Sequence, residues 1–203
     1  MRKKHLLFAH AITGCDSVSA LYNIGKKKAI KILAAEDWKI LDVFTKPDAT
    51  YDEISHAGEA FLLKLYCATS ISQSLDQLRY MLYLKKMKTS MSSFDLETLP
   101  PTSSAAKWHS YRTYFAVQEW LGNTAHLDPL KWGWQMSDNS LQPIFNDKEA
   151  APSHILRMIS CGCKTGCGKR CRCRKSGLNC TEMCSSCAGF NCSNCEPMDG
   201  DED

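Results

Sequence analysis

No stretch of the 203 residues approaches the roughly 18 consecutive apolar positions of a membrane-spanning helix, so nothing assigns the chain to a bilayer. Cysteine is scarce over residues 1–149, which hold only Cys15 and Cys67, and aromatics are scarce beyond Asn146, where Phe190 stands alone. Acidic residues are missing between Ala150 and Thr181, and none precedes Asp16. No internal repeat or low-complexity segment appears in the first 150 residues. These absences divide the chain near residue 150. A terminal stretch with one aromatic cannot close a hydrophobic core, so it must be held by covalent links or by metal. The front part, with 44% hydrophobic and 23% charged residues over the whole chain, has the composition of a soluble globular domain. The length suits one ordinary domain and a small second module.

What is present in the front part reads as helical. Ser17–Tyr22 and Lys26–Ala35 are expected as short helices separated by "NIG". Ile54, Ala57, Phe61 and Leu65 recur at helical spacing within Asp52–Thr69, and Ile71, Leu75, Leu78 and Leu82 repeat the pattern up to a basic "KKMK" turn. A further helix opens on a Thr102 or Ser103 cap and stops at Gly122. Trp108, Tyr111, Tyr114 and Phe115 cluster on it as core. "LDPLKWGWQM" is expected to be irregular, with Trp132 and Trp134 covering the bundle, and "LQPIFNDKEAAPSH" reads as the connection. His56, His109, His126 and His154 show no ligand-like spacing, so surface or core roles are expected. "MRKKHLLFAHAITGC" mimics a lipoprotein leader, but His10 interrupts an already short apolar run, and the match is read as coincidence.

Ten of the twelve cysteines fall in 161–195: Cys161, Cys163, Cys167, Cys171, Cys173, Cys180, Cys184, Cys187, Cys192 and Cys195. Five disulfides are possible by count. Two C-x-C pairs argue otherwise, because a disulfide between thiols two residues apart is strained while a shared metal is easy. Zinc thiolate coordination is the better reading. Seven basic residues lie from Arg157 to Lys175: Arg157, Lys164, Lys169, Arg170, Arg172, Arg174 and Lys175. Net charge is only +3 because the chain ends in the acidic "DGDED", yet a localised basic patch is a footprint for a polyanion.

The run C-x-C-x3-C-x3-C-x-C-x6-C-x3-C, with "CRCRKSGLNC" at its centre, resembles the CXC domain of tesmin-type DNA-binding proteins. That resemblance implies nine cysteines around three zinc ions. Three tetrahedral ions need twelve bonds, which nine thiolates supply if three of them bridge. Such a cluster carries formal charge −3, so the nearby cations offset it as well as face outward. Two departures stand out. Family members commonly place a tyrosine before the central C-x-C, where it enters the DNA minor groove; here Arg170 stands there, a residue that also suits a narrow minor groove. "CSSCAGFNCSNC" has wider gaps and one cysteine more than nine, so either Cys192 or Cys195 is spare or the third site is rearranged.

"HAITGCDSVSALYNIGKKKAIKIL" resembles the helix–hairpin–helix region of flap-endonuclease/XPG-like nucleases. The resemblance implies that Asp16 is a magnesium ligand and that the hairpin at Gly25, Lys26, Lys27 and Lys28 grips a DNA backbone. Gly25 permits a tight turn, and N–H groups at a helix start hold phosphate well. Those nucleases gather several carboxylates around two metal ions, mostly upstream of the motif, and here no acid precedes Asp16. Asp16 reads equally as a helix cap before "SVSALY".

The expectation is therefore a mainly α protein: a helical domain over 1–150, a loop-rich zinc-cluster module over 159–195 and an acidic tail over 196–203. The expected function is nuclear, zinc-dependent DNA binding, with phosphate contacts from Arg157, Lys164, Lys169, Arg172 and Lys175 and groove contacts from Arg170 and Arg174. The helical part assists or docks a protein partner. The alternative is a fragment or subunit of a magnesium-dependent, structure-specific nuclease. Metal buffering is disfavoured by the aromatic-containing body in front.

Overall fold

The computed structural model describes residues 4–68, 73–89, 96–123, 127–146, 160–164, 166–175 and 178–195. The chain separates into two compact units, Met1–Leu84 with Glu97–Lys148, and Lys85–Leu96 with Glu149–Asp203. Helices dominate, and the described strands form one two-stranded sheet. No helix among the described residues is long and apolar enough to cross a membrane.

In the first unit, α1 (Lys4–Ile12), α2 (Lys26–Ala35), a 3₁₀ segment (Lys39–Thr45), α3 (Tyr51–Leu65) and the part of α4 (Leu75–Thr89) up to Leu84 precede α5 (Ser103–Leu121). Helix α3 begins with a reciprocal cap. The Thr50 hydroxyl accepts from the Glu53 N–H, while Glu53 accepts from the Thr50 N–H, satisfying two amides that a helix start leaves open. The expected stripe of Ile54, Ala57, Phe61 and Leu65 is buried. The helix ends earlier than Thr69 because Cys67 turns left-handed at φ 58° and Ala68 N–H returns to the Leu63 carbonyl at 2.9 Å. In α4, Leu75 and Leu78 are buried and Leu82 is half-buried, whereas Ile71 lies outside the described residues.

Helix α5 is the axis of the unit. Thr102 caps it, accepting from Ala105 N–H at 3.1 Å, and Gly122 ends it at φ 78°. It is buried on nearly every side from Ser104 to Gln118, so its polar groups must find partners inside the protein. Most find backbone carbonyls, the enclosed Trp108 indole N–H being an exception with no hydrogen-bond partner among the described residues. His109 Nε2 meets the Ile12 carbonyl at 2.8 Å, Tyr114 donates to Lys46 at 2.7 Å, and Gln118 donates to Phe44 at 2.9 Å. Arg112 Nη1 donates to both Gly133 and Ile144. One helix thus ties down α1, the 3₁₀ segment and the chain after α5. Phe8 packs on Phe44 and Phe61 at centroid distances of 4.4 and 5.0 Å, and Trp132 lies 4.6 Å from Tyr114. Helices α3 and α5 meet where Gly58 faces Ser110; a Cβ at Gly58 would stand 1.9 Å from the Ser110 hydroxyl.

Three expectations are corrected. Ser17–Tyr22 is not a helix: Cys15 and Val18 exchange backbone hydrogen bonds across a tight turn, and Leu21 bridges Ile24. Six residues offer too few intrahelical bonds to offset nucleation without packing support. "WQMS" and "SLQP" are not irregular or linking. They form β1 (Trp134–Ser137) and β2 (Ser140–Pro143), an antiparallel hairpin closed by Asp138 and Asn139 at φ 49° and 58°. Finally, the tight turn before α2 belongs to Asn23 (φ 54°), not Gly25, whose φ of −103° suits any residue.

Candidate metal centre

Among its described residues, the second unit has little regular structure beyond the end of α4. Its described cysteine region contains one helical turn, α6 (Arg172–Lys175), and a succession of tight turns. Those turns alternate sulfur and backbone: Cys171 N–H returns to Gly168, Cys184 N–H to Thr181, and Phe190 and Asn191 N–H both to Cys187. Gly189 sits at φ 78° against the 180–182 backbone, where a Cβ would lie 2.9 Å from the Thr181 carbonyl carbon. Only glycine lets the two segments approach this closely.

Among the described residues of this unit, the buried ones are cysteines. Cys161, Cys167, Cys171, Cys173, Cys180, Cys184 and Cys187 form the core, with Cys163 and Cys192 packed against it. All are free thiols. Neighbouring sulfurs stand 3.6 Å apart for Cys161–Cys167, 3.7 Å for Cys167–Cys187 and Cys173–Cys184, and 3.9 Å for Cys171–Cys180. A disulfide needs about 2.05 Å. Four sulfurs at 2.3 Å around a tetrahedral zinc stand about 3.8 Å apart, so these separations fit a metal rather than a bond.

The thiols gather in three groups of four: Cys161, Cys173, Cys180 and Cys184; Cys161, Cys167, Cys171 and Cys180; and Cys167, Cys180, Cys187 and Cys192. Within each group the sulfurs lie within 4.8 Å of one another. The groups interlock, because Cys161 and Cys167 each belong to two of them and Cys180 to all three. Cys163 lies outside the groups, but it packs against the buried sulfur core. Cys195 stays apart, and its Sγ–H donates to the Cys192 carbonyl at 2.9 Å.

Electrostatics divide the thiols. Burial pushes Cys161 up to about 11 and Cys173 up to about 12, and it raises Cys167 and Cys180 as well. At Cys184 burial is outweighed by the N–H groups of Cys161 and Thr181, both 3.4 Å from its sulfur, and by neighbouring thiols, which bring it down to about 7. Cys171 also falls to about 7: burial is overcome there by the Arg174 backbone and adjacent thiols. In the pairs Cys173–Cys184, Cys180–Cys171 and Cys167–Cys187 a raised thiol thus meets a lowered one. A metal ion replaces those shared protons with a positive charge, the ordinary exchange in thiolate sites. The cysteine cluster is positioned to bind metal.

Cations surround it unevenly. Lys164, Lys169, Arg170 and Lys175 are exposed and Arg172 is half-buried, while Arg157 lies outside the described residues. Arg174 is engaged: its guanidinium donates to the Ser193 carbonyl and hydroxyl and to Asn194 Oδ1. Asn194 in turn donates to the Leu178 carbonyl at 2.9 Å and points Nδ2 at the Cys180 sulfur from 3.5 Å. The spacing of charges along the chain gave no signal for this clasp.

In the helical unit, Asp16 is exposed in a loop and belongs to none of the three ligand groups found among the described residues. With no helix over Ser17–Tyr22, the cap reading of Asp16 falls. Gly25 is the N-cap of α2 without a side-chain cap bond. Lys26 donates to the Gly14 carbonyl at 2.8 Å, and Lys27 and Lys28 are exposed. His56 is exposed and His109 buried; His126 and His154 lie outside the described residues. No protein-family model, curated protein or solved structure matches the chain.

Proposed function

We propose that the second unit is a zinc-cluster module that binds DNA. The observation that carries the metal part is the interlocking of three four-thiol groups through Cys161, Cys167 and Cys180. If Cys163 rather than Cys180 completes the group of Cys161, Cys167 and Cys171, nine thiolates result. Cys161, Cys167 and Cys180 then each bridge two ions, and six terminal thiolates fill the remaining positions of three tetrahedra. The packing of Cys163 against the buried sulfur core supports this choice. So does Cys192, which joins a group while Cys195 does not.

The DNA part rests on charge. The exposed cations Lys164, Lys169, Arg170 and Lys175 exceed what one thiolate-rich cluster of charge −3 requires, and no acid lies between Ala150 and Thr181 to oppose them. Phosphate contact by such side chains displaces condensed counterions. Lys27 and Lys28, at the open start of α2, add a weaker second contact, and nuclear residence follows from this reading. The helical unit serves as the body that docks partners, with Leu130, Met136, Leu141 and Phe145 exposed on and beside its hairpin.

Two measurements on the full chain test the reading. Elemental analysis under reducing conditions gives three zinc ions per chain, and a metal-free chain with disulfides overturns the cluster. DNA affinity, measured against salt with zinc content verified, gives a slope of about −4 for four or five phosphate contacts. A slope near zero, or one unchanged in the Lys169→Ala/Arg172→Ala pair, overturns DNA binding by this module.

A further inference from the structure

Among the ten clustered thiols, Cys195 alone neither joins a four-thiol group nor packs on the buried sulfur core. It is not remote, however. Its hydrogen bond to the Cys192 carbonyl places it on the backbone of a residue in the third group. Cys192 is, in turn, the only member of the three groups that is not fully buried. The turn that carries both is pinned from beneath: the Asn194 carbonyl accepts from Cys180 N–H at 2.6 Å, and Ser193 donates to the Cys167 carbonyl at 3.3 Å. A C-x-x-C turn thus lies at the solvent edge of one metal-binding group, with one thiol inside the group and one outside it.

We propose that Cys192 and Cys195 form a modification site for hydroperoxides, at which a disulfide between them withdraws a ligand from the third group and releases its ion. This rests on the three-ion reading above. The Cys195 sulfur, as thiolate, attacks one peroxide oxygen and breaks the O–O bond. Cys195 becomes a sulfenic acid, and the other oxygen leaves, with the proton the thiol gave up, as water from hydrogen peroxide or as the alcohol from an alkyl hydroperoxide. The Cys192 sulfur then attacks the sulfenic sulfur and expels hydroxide as the S–S bond forms. Two electrons pass from the two sulfurs to one peroxide, and the metal keeps its oxidation state. Neither of the other two groups contains Cys192, so two ions keep their ligands. C-x-x-C is the spacing of reactive dithiol pairs in disulfide oxidoreductases.

The test uses the full chain loaded with zinc, native mass spectrometry and hydrogen peroxide at stoichiometric dose. The expected change is from three ions to two, with Cys192 and Cys195 the only thiols newly protected from alkylation. Cys195→Ser loads three ions and keeps all three at the same dose. A count other than three before peroxide overturns the cluster reading and this proposal with it. With three ions loaded, the proposal alone is overturned by loss of every ion together, by a disulfide between other cysteines, or by Cys195→Ser losing one ion as the native chain does.

Discussion

Replacing His109 with Gln perturbs one buried contact whose energetics follow from the structure. His109 is fully enclosed, and desolvation lowers it from 6.5 to about 4, with Arg112 adding to the effect and the Ile12 hydrogen bond opposing it. At neutral pH the ring is uncharged and donates Nε2–H to the Ile12 carbonyl. Below pH 6.5 the unfolded chain takes up a proton that the folded chain refuses until about pH 4. Stability is therefore lost across that window as pH falls. One pH unit of difference is worth about 1.4 kcal/mol, so the whole effect is about 3 kcal/mol, of which about 2 kcal/mol is gone by pH 5. His109→Gln keeps an amide donor for Ile12 and removes the titration. All five tryptophans lie in residues 38–134, so urea unfolding followed by their fluorescence reports the helical unit. Subtracting the variant's stability from the native protein's at each pH cancels the carboxylates both share. The difference should fall by about 2 kcal/mol between pH 7 and pH 5. Parallel curves, or a native protein that gains on the variant in acid, would refute the reasoning.

Gly58→Ala should cost about 1–3 kcal/mol by forcing α3 from α5. Ser110→Ala should not rescue it, since the new Cβ would also meet the Ser110 Cβ at 2.7 Å; urea denaturation checks both. Arg174→Ala should leave the salt slope of DNA binding within about 0.3, whereas each phosphate-contacting lysine lost lowers it by about 0.9. The same change should weaken zinc retention against a chelator, because it frees the Ser193–Asn194 turn. Chelating all zinc should remove protection from proteolysis in 161–195 and leave the helical unit's near-ultraviolet dichroism unchanged.

The helices were legible wherever burial and caps agreed with periodicity. Lys26–Ala35 forms at its expected bounds, and Thr102 and Gly122 delimit α5 as read from sequence. Ser17–Tyr22 was misread because propensity in six residues says nothing about the packing needed to hold them. The hairpin escaped notice because each strand has four residues, too few for alternation to register, although Asp138–Asn139 between "WQMS" and "SLQP" is a two-residue turn signal. At the metal centre, the thiols were legible from their spacing. Which thiols share groups was not, since that depends on how turns fold back through bonds such as Cys180 N–H to Asn194. Arg174 shows the same limit: its neighbours in sequence are cations, and its partners lie 19 and 20 residues on.

Arg112 grips the carbonyls of Gly133 and Ile144, the residues just before and after the hairpin, and Ile144 N–H closes on Gly133 at 2.9 Å. The hairpin is thereby anchored at its root and nowhere obliged at its tip, where Asp138 and Asn139 are exposed. Evolution can lengthen it without touching the helical core, provided residues are added in matched pairs that keep Trp134 opposite Pro143. The same root makes the tip a place to graft a peptide or a fluorophore loop, with the α5 packing left as it is.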